Sequence, residues 1–403
     1  MNTGEPSSIK RENHFHRYLN YAAIILEKYK GKEPFHLYLK KYFSANKKHG
    51  SKDRKHITSL CYNYFRLGMA VSHTLDIKEK LLLATFLIEK KPSAVLENAK
   101  PEWDEKIKAD LPAKIEMVKD IFSVETIFPF KEELSDEISF HQFSLSFLIQ
   151  PKLFIRIRPG FKKAVIDKLR SAAIPYEEIN ENCLPFSYNK KVTDVIQIDK
   201  EAVIQDCNSQ RTAAFLKSIP AYKSSISVWD CCAASGGKSI LAFDVLKNIE
   251  LTVSDRRKLI LENLHKRFAK AGIKNYHAFV ADLSDPSGLD NINGKFDLII
   301  ADVPCSGSGT WSRTPEQIHF FEKNKIREYA ILQKKIVSNA LKRLSADGYL
   351  LYITCSVFKE ENEENVNYLR ENLNLTLIES KYLEGYKMQA DTLFAALFKR
   401  SGL

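Results

Sequence analysis

The sequence predicts an α/β protein in three parts. These are an all-α N-terminal domain (1–140), a small α+β connector subdomain (141–205) and a doubly wound domain with a largely parallel sheet (206–403). Three observations predict it. Residues 14–120 repeat apolar side chains at helical spacing; the pattern changes at Pro151 to strand–helix–strand; and from about residue 206 short apolar runs alternate with helical segments.

In the first part Tyr18, Ala22, Ile25, Leu26 and Tyr29 fall at helical spacing. Ile57, Leu60, Cys61, Tyr64 and Phe65 make a second stripe, and Ser51 is the expected N-cap of that helix. Pro92, Pro101 and Pro112 cut the following segment into short pieces. In the connector, 153–157 is strand-like, 162–172 helical, and 195–198 and 203–204 strand-like again. In the third part strands are expected at 225–232, 249–254, 276–281, 296–303, 348–354 and 392–399. Helices are expected at 237–247, 256–271, 325–344 and 362–371. Ligands of such sheets lie beyond the C-terminal strand ends, so the residues just after each strand are the informative ones.

A chain of 403 residues suits two or three domains. Its 44% hydrophobic and 28% charged residues are those of a globular protein. No apolar run approaches the ~18 residues that span a bilayer, and the N-terminus has no apolar stretch after its basic residues, so the expected location is cytoplasmic. The seven cysteines lack the paired spacing of a disulfide scaffold, which fits a reducing compartment. The net charge of +11 is uneven: residues 1–100 carry 19 basic and 9 acidic side chains, residues 101–150 carry 5 and 11. A basic N-terminal region fits a phosphate backbone, and fits a solvated lysine-rich helical surface as well.

After the first strand of the third part comes Asp230-Cys231-Cys232-Ala233-Ala234-Ser235-Gly236-Gly237-Lys238-Ser239. A small-residue turn leading into a helix N-terminus lets the backbone approach a ligand closely. A phosphate-binding P-loop would need Gly where Cys232 stands, and a dinucleotide fingerprint needs more glycines than Gly236 and Gly237. A loop for S-adenosylmethionine remains, beside the plainer reading of a turn that packs helix on sheet. Asp255 and Asp282 end the next two strands; together they suit the ribose hydroxyls and adenine amine of a nucleoside, and singly each could be a helix cap.

The fourth strand ends in Asp302-Val303-Pro304-Cys305-Ser306-Gly307, the fifth in Thr354-Cys355-Ser356. A thiolate is a soft nucleophile suited to carbon 6 of a pyrimidine, an attack that makes carbon 5 nucleophilic toward a methyl cation. Asp302 could hold the edge of such a base. A cysteine at a strand end is also an ordinary small buried hydrophobe. No Cys-x-x-Cys spacing supports zinc, and no metal is expected.

These residues resemble the RNA cytosine-5 methyltransferases of the Sun (RsmB-like) type. The resemblance rests on DCCAASGGKS (230–239), SDRRKLILENL (254–264), FDLIIADVPCSGSGTWSRTPE (296–316), YITCSVFKEENEENV (352–366) and VIQDCNSQRTAAFL (203–216). It implies a Rossmann-like class I S-adenosylmethionine-dependent methyltransferase domain. It implies that Cys355 is the nucleophile, that Cys305 assists product release and that Asp302 contacts the base. It further implies that Cys232, Ala233, Ala234, Ser235, Gly236, Gly237 and Lys238, with Asp255, Asp282 and Asp302, bind the cofactor. GSKDRKHITSLCYNYFRL (50–67) is similar to the NusB-like RNA-binding domain of bacterial members. Two departures are visible: Ser235 stands where many members have Pro, and Asp391-Thr392-Leu393-Phe394 where Asp-Gly-Phe-Phe is common. The RNA implied is ribosomal, from the small subunit, ahead of transfer RNA. DNA methylation and a non-catalytic RNA-binding assembly factor are the competing functions; the Thr-Cys-Ser cysteine speaks against the first, the intact motif residues against the second.

Overall fold

A computed structural model describes residues 7–71, 74–180, 182–187, 192–220, 224–290 and 292–400, with side chains from residue 16. The first six residues of the expected N-terminal domain lie outside these. The chain forms two compact units that interleave in sequence: 1–132, 139–150 and 311–322 in one, 133–138, 151–310 and 323–403 in the other.

The first unit is helical. Its longer helices are Ser7–Lys28, Phe35–Ala45, Ser51–Arg66 and Ile77–Ile88. Both expected stripes are core: Tyr18, Ala22, Ile25, Leu26 and Tyr29 are buried, as are Ile57, Leu60, Cys61 and Phe65. The cap of the third helix is Gly50, not Ser51, which is the helix's first residue. Asp53 reaches back to accept the Gly50 N–H at 3.0 Å, the half of a capping box that comes from the third helical residue; glycine has no hydroxyl to supply the other half. The late segment 311–322 belongs here because it is aromatic: Trp311 packs on Phe128, Phe130 and Phe321 with ring centroids 5.9, 5.9 and 4.8 Å away.

The second unit holds two sheets. In the smaller, β1 (Leu153–Ile157) pairs antiparallel with β2 (Cys183–Phe186) and β3 (Ala202–Ile204), covered by the helix Lys162–Ser171. The strand expected at 195–198 does not form. Asp199 turns the chain at φ +70°, its N–H bonds the Ala202 carbonyl at 2.7 Å, and Glu201 N–H bonds Gln197. These residues close a turn, and their pairing stops at a single isolated bridge between Ile198 and Ala202.

The larger sheet comprises β4 (Ile226–Asp230), β5 (Ile249–Asp255), β6 (Tyr276–Val280), β7 (Phe296–Asp302), β8 (Leu344–Thr354), β9 (Leu375–Leu383) and β10 (Leu393–Arg400). Its order is β6-β5-β4-β7-β8-β10-β9; β4 to β8 run parallel and β10 runs antiparallel between β8 and β9. This is the Rossmann-like class I arrangement expected. The central β7 is almost wholly buried, and after Asp297 its Leu298-Ile299-Ile300-Ala301 is an unbroken apolar run, as a strand covered on both faces requires. The edge strand β9, mostly exposed and polar, was not expected from the sequence. Helix Lys258–Ala271 packs its Leu261, Leu264, Phe268 and Ala271 face on the sheet. Among the described residues no helix is long and apolar enough to cross a membrane.

Candidate active site

The parallel strands β4, β5 and β7 deliver Asp230, Asp255 and Asp302 to one edge of the sheet. After β4 the chain turns through Ala234 (φ +47°) and Gly236 (φ +83°) before the helix Gly237–Leu246. Gly236 is required twice over: its φ is left-handed, and a Cβ there would stand 2.6 Å from the Phe268 ring. The turn is tied down by Ala233 N–H to Ser254 O (2.9 Å), Gly236 N–H to Ala233 O (2.8 Å) and Ala234 N–H to Asp255 Oδ2 (3.0 Å). Ser235, the departure from the common Pro, accepts on its carbonyl and hydroxyl oxygens from Arg267 Nη1, both at 2.9 Å. A Cβ on Gly237 would meet nothing within 4 Å, so the helix N-terminus opens onto free space.

The expected binding residues converge unequally. Cys232, Ala233, Ala234, Ser235, Gly236, Gly237 and Lys238 form the loop and the start of its helix. Asp255 is buried beside them, its oxygens accepting from Ala234, from the Arg257 N–H and from the Arg257 guanidinium at 3.0 and 3.2 Å. Burial pushes this carboxyl up, but these donors outweigh it and hold it below the usual carboxylate range. Asp282 is exposed just past β6, and accepts from the Ser284 hydroxyl and N–H, which lower its pKa. Lys238 Nζ donates to Asp302 Oδ2 at 2.9 Å. That bond joins the cofactor loop to the residue expected to touch a base.

Cys305 and Cys355 follow the neighbouring parallel strands β7 and β8, and their sulfurs stand 3.2 Å apart. The Cys355 N–H points at Cys305 Sγ at 3.4 Å. Contact with the Cys355 sulfur, burial and the nearby Glu361 charge push the Cys305 thiol well up.

The sequence did not single out Glu361, which locks both cysteine turns together. It is fully buried and accepts from Ser306 N–H (2.9 Å), Ser356 hydroxyl (2.6 Å) and Gln333 Nε2 (2.8 Å). Burial raises its pKa against those donors. Asn362 accepts from Thr354 Oγ1 (2.6 Å) and donates to Ser356 O (2.9 Å). Both lie in the quoted segment YITCSVFKEENEENV, where one glutamate among four gives no sign of burial. Thr392, the second departure, is buried; its N–H bonds Gly309 O at 2.9 Å, and Gly309 N–H bonds Cys355 O at 2.8 Å. Among the described residues no three His, Cys, Asp or Glu side chains are grouped to hold a metal.

Residues 219–397 match the sequence model described as 16S rRNA methyltransferase RsmB/F. The chain is 31% identical over 177 residues to a ribosomal RNA small subunit methyltransferase B of Shewanella oneidensis, covering 42% of this chain and 38% of that protein. It is 31% identical over 160 residues to a mouse 28S rRNA (cytosine-C(5))-methyltransferase, covering 38% of this chain and 19% of that protein. The matches thus span less than half the length of these relatives. Among solved structures, PH0851 superposes over 99% of this chain and 100% of its own with a TM-score of 0.67 at 19% identity. NSun6 from Pyrococcus horikoshii, solved with SFG, covers 65% of this chain and 94% of its own at TM-score 0.54 and 16% identity. These two likenesses are of fold.

Proposed function

We propose that this chain, which matches the RsmB/F methyltransferase model over residues 219–397, is a Sun-type RNA methyltransferase that methylates carbon 5 of a cytosine in RNA, with S-adenosylmethionine as cofactor and Cys355 as nucleophile. The observation that carries this reading is the pair of cysteine sulfurs 3.2 Å apart at the ends of adjacent strands, on the same sheet edge as a glycine-rich loop. The substrate favoured by the relatives' names is ribosomal RNA, and the setting proposed with it is cytoplasmic.

The residues fit the cofactor. The turn at 233–237 presents backbone at a helix N-terminus with open space over Gly237, and Asp255 and Asp282 lie past adjacent strands where ribose and adenine would be met. When bound, the cofactor supplies a sulfonium methyl group to carbon 5. The chain's own residues do the rest. Asp302, with Oδ2 held by Lys238, offers its other oxygen to the exocyclic amine of the base. The Cys355 thiolate forms a bond to carbon 6, and the ring electron pair moves to carbon 5. After methylation the carbon-5 proton is removed, the Cys355–carbon-6 bond breaks and the thiolate leaves. Cys305, its sulfur 3.2 Å from that of Cys355, assists that last step. The helical, basic N-terminal domain, NusB-like by resemblance, docks the RNA.

The test is a denaturing gel with labelled RNA and cofactor. Cys355→Ala and Cys355→Ser are expected to be inactive and free of adduct. Cys305→Ala is expected to accumulate a methylated protein–RNA complex that survives boiling in detergent. Adduct in the Cys355 variants and not in Cys305→Ala would reverse the roles, in the manner of the DNA enzymes. Activity in both without adduct would exclude covalent catalysis by either.

A further inference from the structure

We infer that Arg267 is a positioning residue for the cofactor loop, and that through it the small three-stranded sheet, outside the methyltransferase sheet, helps set that loop's conformation. The inference rests on the proposal that the loop binds S-adenosylmethionine. The loop is strained: Ala234 and Gly236 both take left-handed backbone, with Ser235 between them. An alanine in that region costs on the order of 1 kcal/mol and persists only where its surroundings fix it.

The fixing comes from one face of the helix Lys258–Ala271. Leu264 and Phe268 lie under Gly236, where a Cβ would meet them at 3.2 and 2.6 Å. Arg267, three residues on from Leu264, carries the polar part of that contact, binding both oxygens of Ser235 with Nη1. Its Nε meanwhile donates to Asp199 Oδ1 at 2.9 Å. Asp199 is 5% exposed and sits in the turn before β3, itself at φ +70°. Its carbonyl accepts from Arg158 Nη1 at 3.1 Å, and the same nitrogen reaches Ala271 O, at the end of the Arg267 helix, at 2.8 Å. Arg156 of β1 and Arg158 just past its end also grip Asp244, on the helix that the loop opens, at 2.6 and 2.8 Å. The small sheet therefore holds the loop's helix through Asp244 and the loop itself through Asp199 and Arg267. Only a planar guanidinium can serve Asp199 and Ser235 with separate nitrogens in fixed relation; an ammonium cannot.

Calorimetric titration of the full chain with S-adenosylmethionine, together with amide hydrogen exchange, tests this. Arg267→Ala is expected to weaken binding about tenfold, the effect of losing one or two hydrogen bonds, and Arg267→Lys is expected not to restore it. Asp199→Asn is expected to weaken binding although Asp199 is not in the loop. Combining it with Arg267→Ala is expected to add nothing, since both act through one connection. In Arg267→Ala, exchange at residues 233–237 is expected to rise while strand β4 stays protected. Wild-type affinity and unchanged loop exchange in Arg267→Ala would overturn the inference, as would an equal rise in loop and strand. A wild-type chain that binds no S-adenosylmethionine would refute the cofactor reading instead; the exchange comparison would still decide what Arg267 does.

Discussion

Asp230, Asp255 and Asp282 stand at or just past the ends of three adjacent parallel strands, and their surroundings drive their ionisation apart. Asp255 is buried but answered by Arg257 and two backbone N–H groups, so it stays charged. Asp255→Ala should cost ~1.5–3 kcal/mol of cofactor binding, one to two decades in affinity. Asp282→Ala should cost less, because Asp282 is exposed and Ser284 already occupies one of its oxygens. Unchanged titrations for both variants would place the cofactor elsewhere. Asp230 is the opposite case. It is fully buried with a bond from the Ser239 hydroxyl at 2.6 Å, and burial pushes it up to about 7. In the unfolded chain a carboxyl ionises near ~3.9. Between those values the native state holds the extra proton, so this group's stabilising contribution is full below ~4 and is lost as pH rises toward 7. Relative to Asp230→Asn, the wild type should therefore lose stability between about pH 4 and about pH 7. Denaturant midpoints of the two proteins across that range measure it; a constant difference would mean that Asp230 titrates as an ordinary carboxyl.

The loop after Cys305 is held by close backbone approach. A Cβ on Gly309 would stand 2.0 Å from Thr392 O and 3.0 Å from Cys355 O, both backbone atoms that cannot swing aside. Gly309→Ala should therefore destabilise the fold by roughly 1–3 kcal/mol, read as a lower denaturant midpoint; wild-type stability would show that the two segments separate without penalty. Elements of this kind divide by how much of their cause is local. The central strands were legible because burial on both faces writes short, dense apolar runs such as Leu298–Ala301 and Tyr349–Ile353, and the two cysteines because each follows such a run. Strand β9 was not, since its apolar residues are split by the polar run Glu379-Ser380-Lys381 and show neither a continuous stretch nor a strict alternation. The expected strand at 195–198 failed for a related reason: Val195, Ile196 and Ile198 are apolar but serve a turn closed by Asp199. Glu361, Arg267 and Asp244 were invisible as buried partners, because what buries a charge is the arrival of residues distant in sequence, which periodicity does not record.

At the scale of the whole chain, the interleaving of the two units decides which experiment can test RNA docking. The chain leaves the second unit after Thr310, gives 311–322 to the helical unit, and returns at Lys323. Deleting the helical region would strip Trp311, which is 1% exposed, of Phe128 and Phe130, and leave Ile318 and Phe321 without their unit. Such a truncation should aggregate, and any loss of binding would say nothing about charge. Substitution at exposed lysines avoids this. Lys40, Lys47, Lys52 and Lys55 are all exposed on the helical unit, within the stretch that carries the basic excess. If they meet phosphates, each neutralised contact should lower the slope of log affinity against log salt by about 0.7–0.9, because one counterion fewer is released. Replacing all four by Gln should weaken RNA binding most at low salt, where counterion release favours binding most, and leave the S-adenosylmethionine titration unchanged. A quadruple variant with the wild-type slope would show that this face does not touch the backbone, and the excess charge would then be a solvated helical surface.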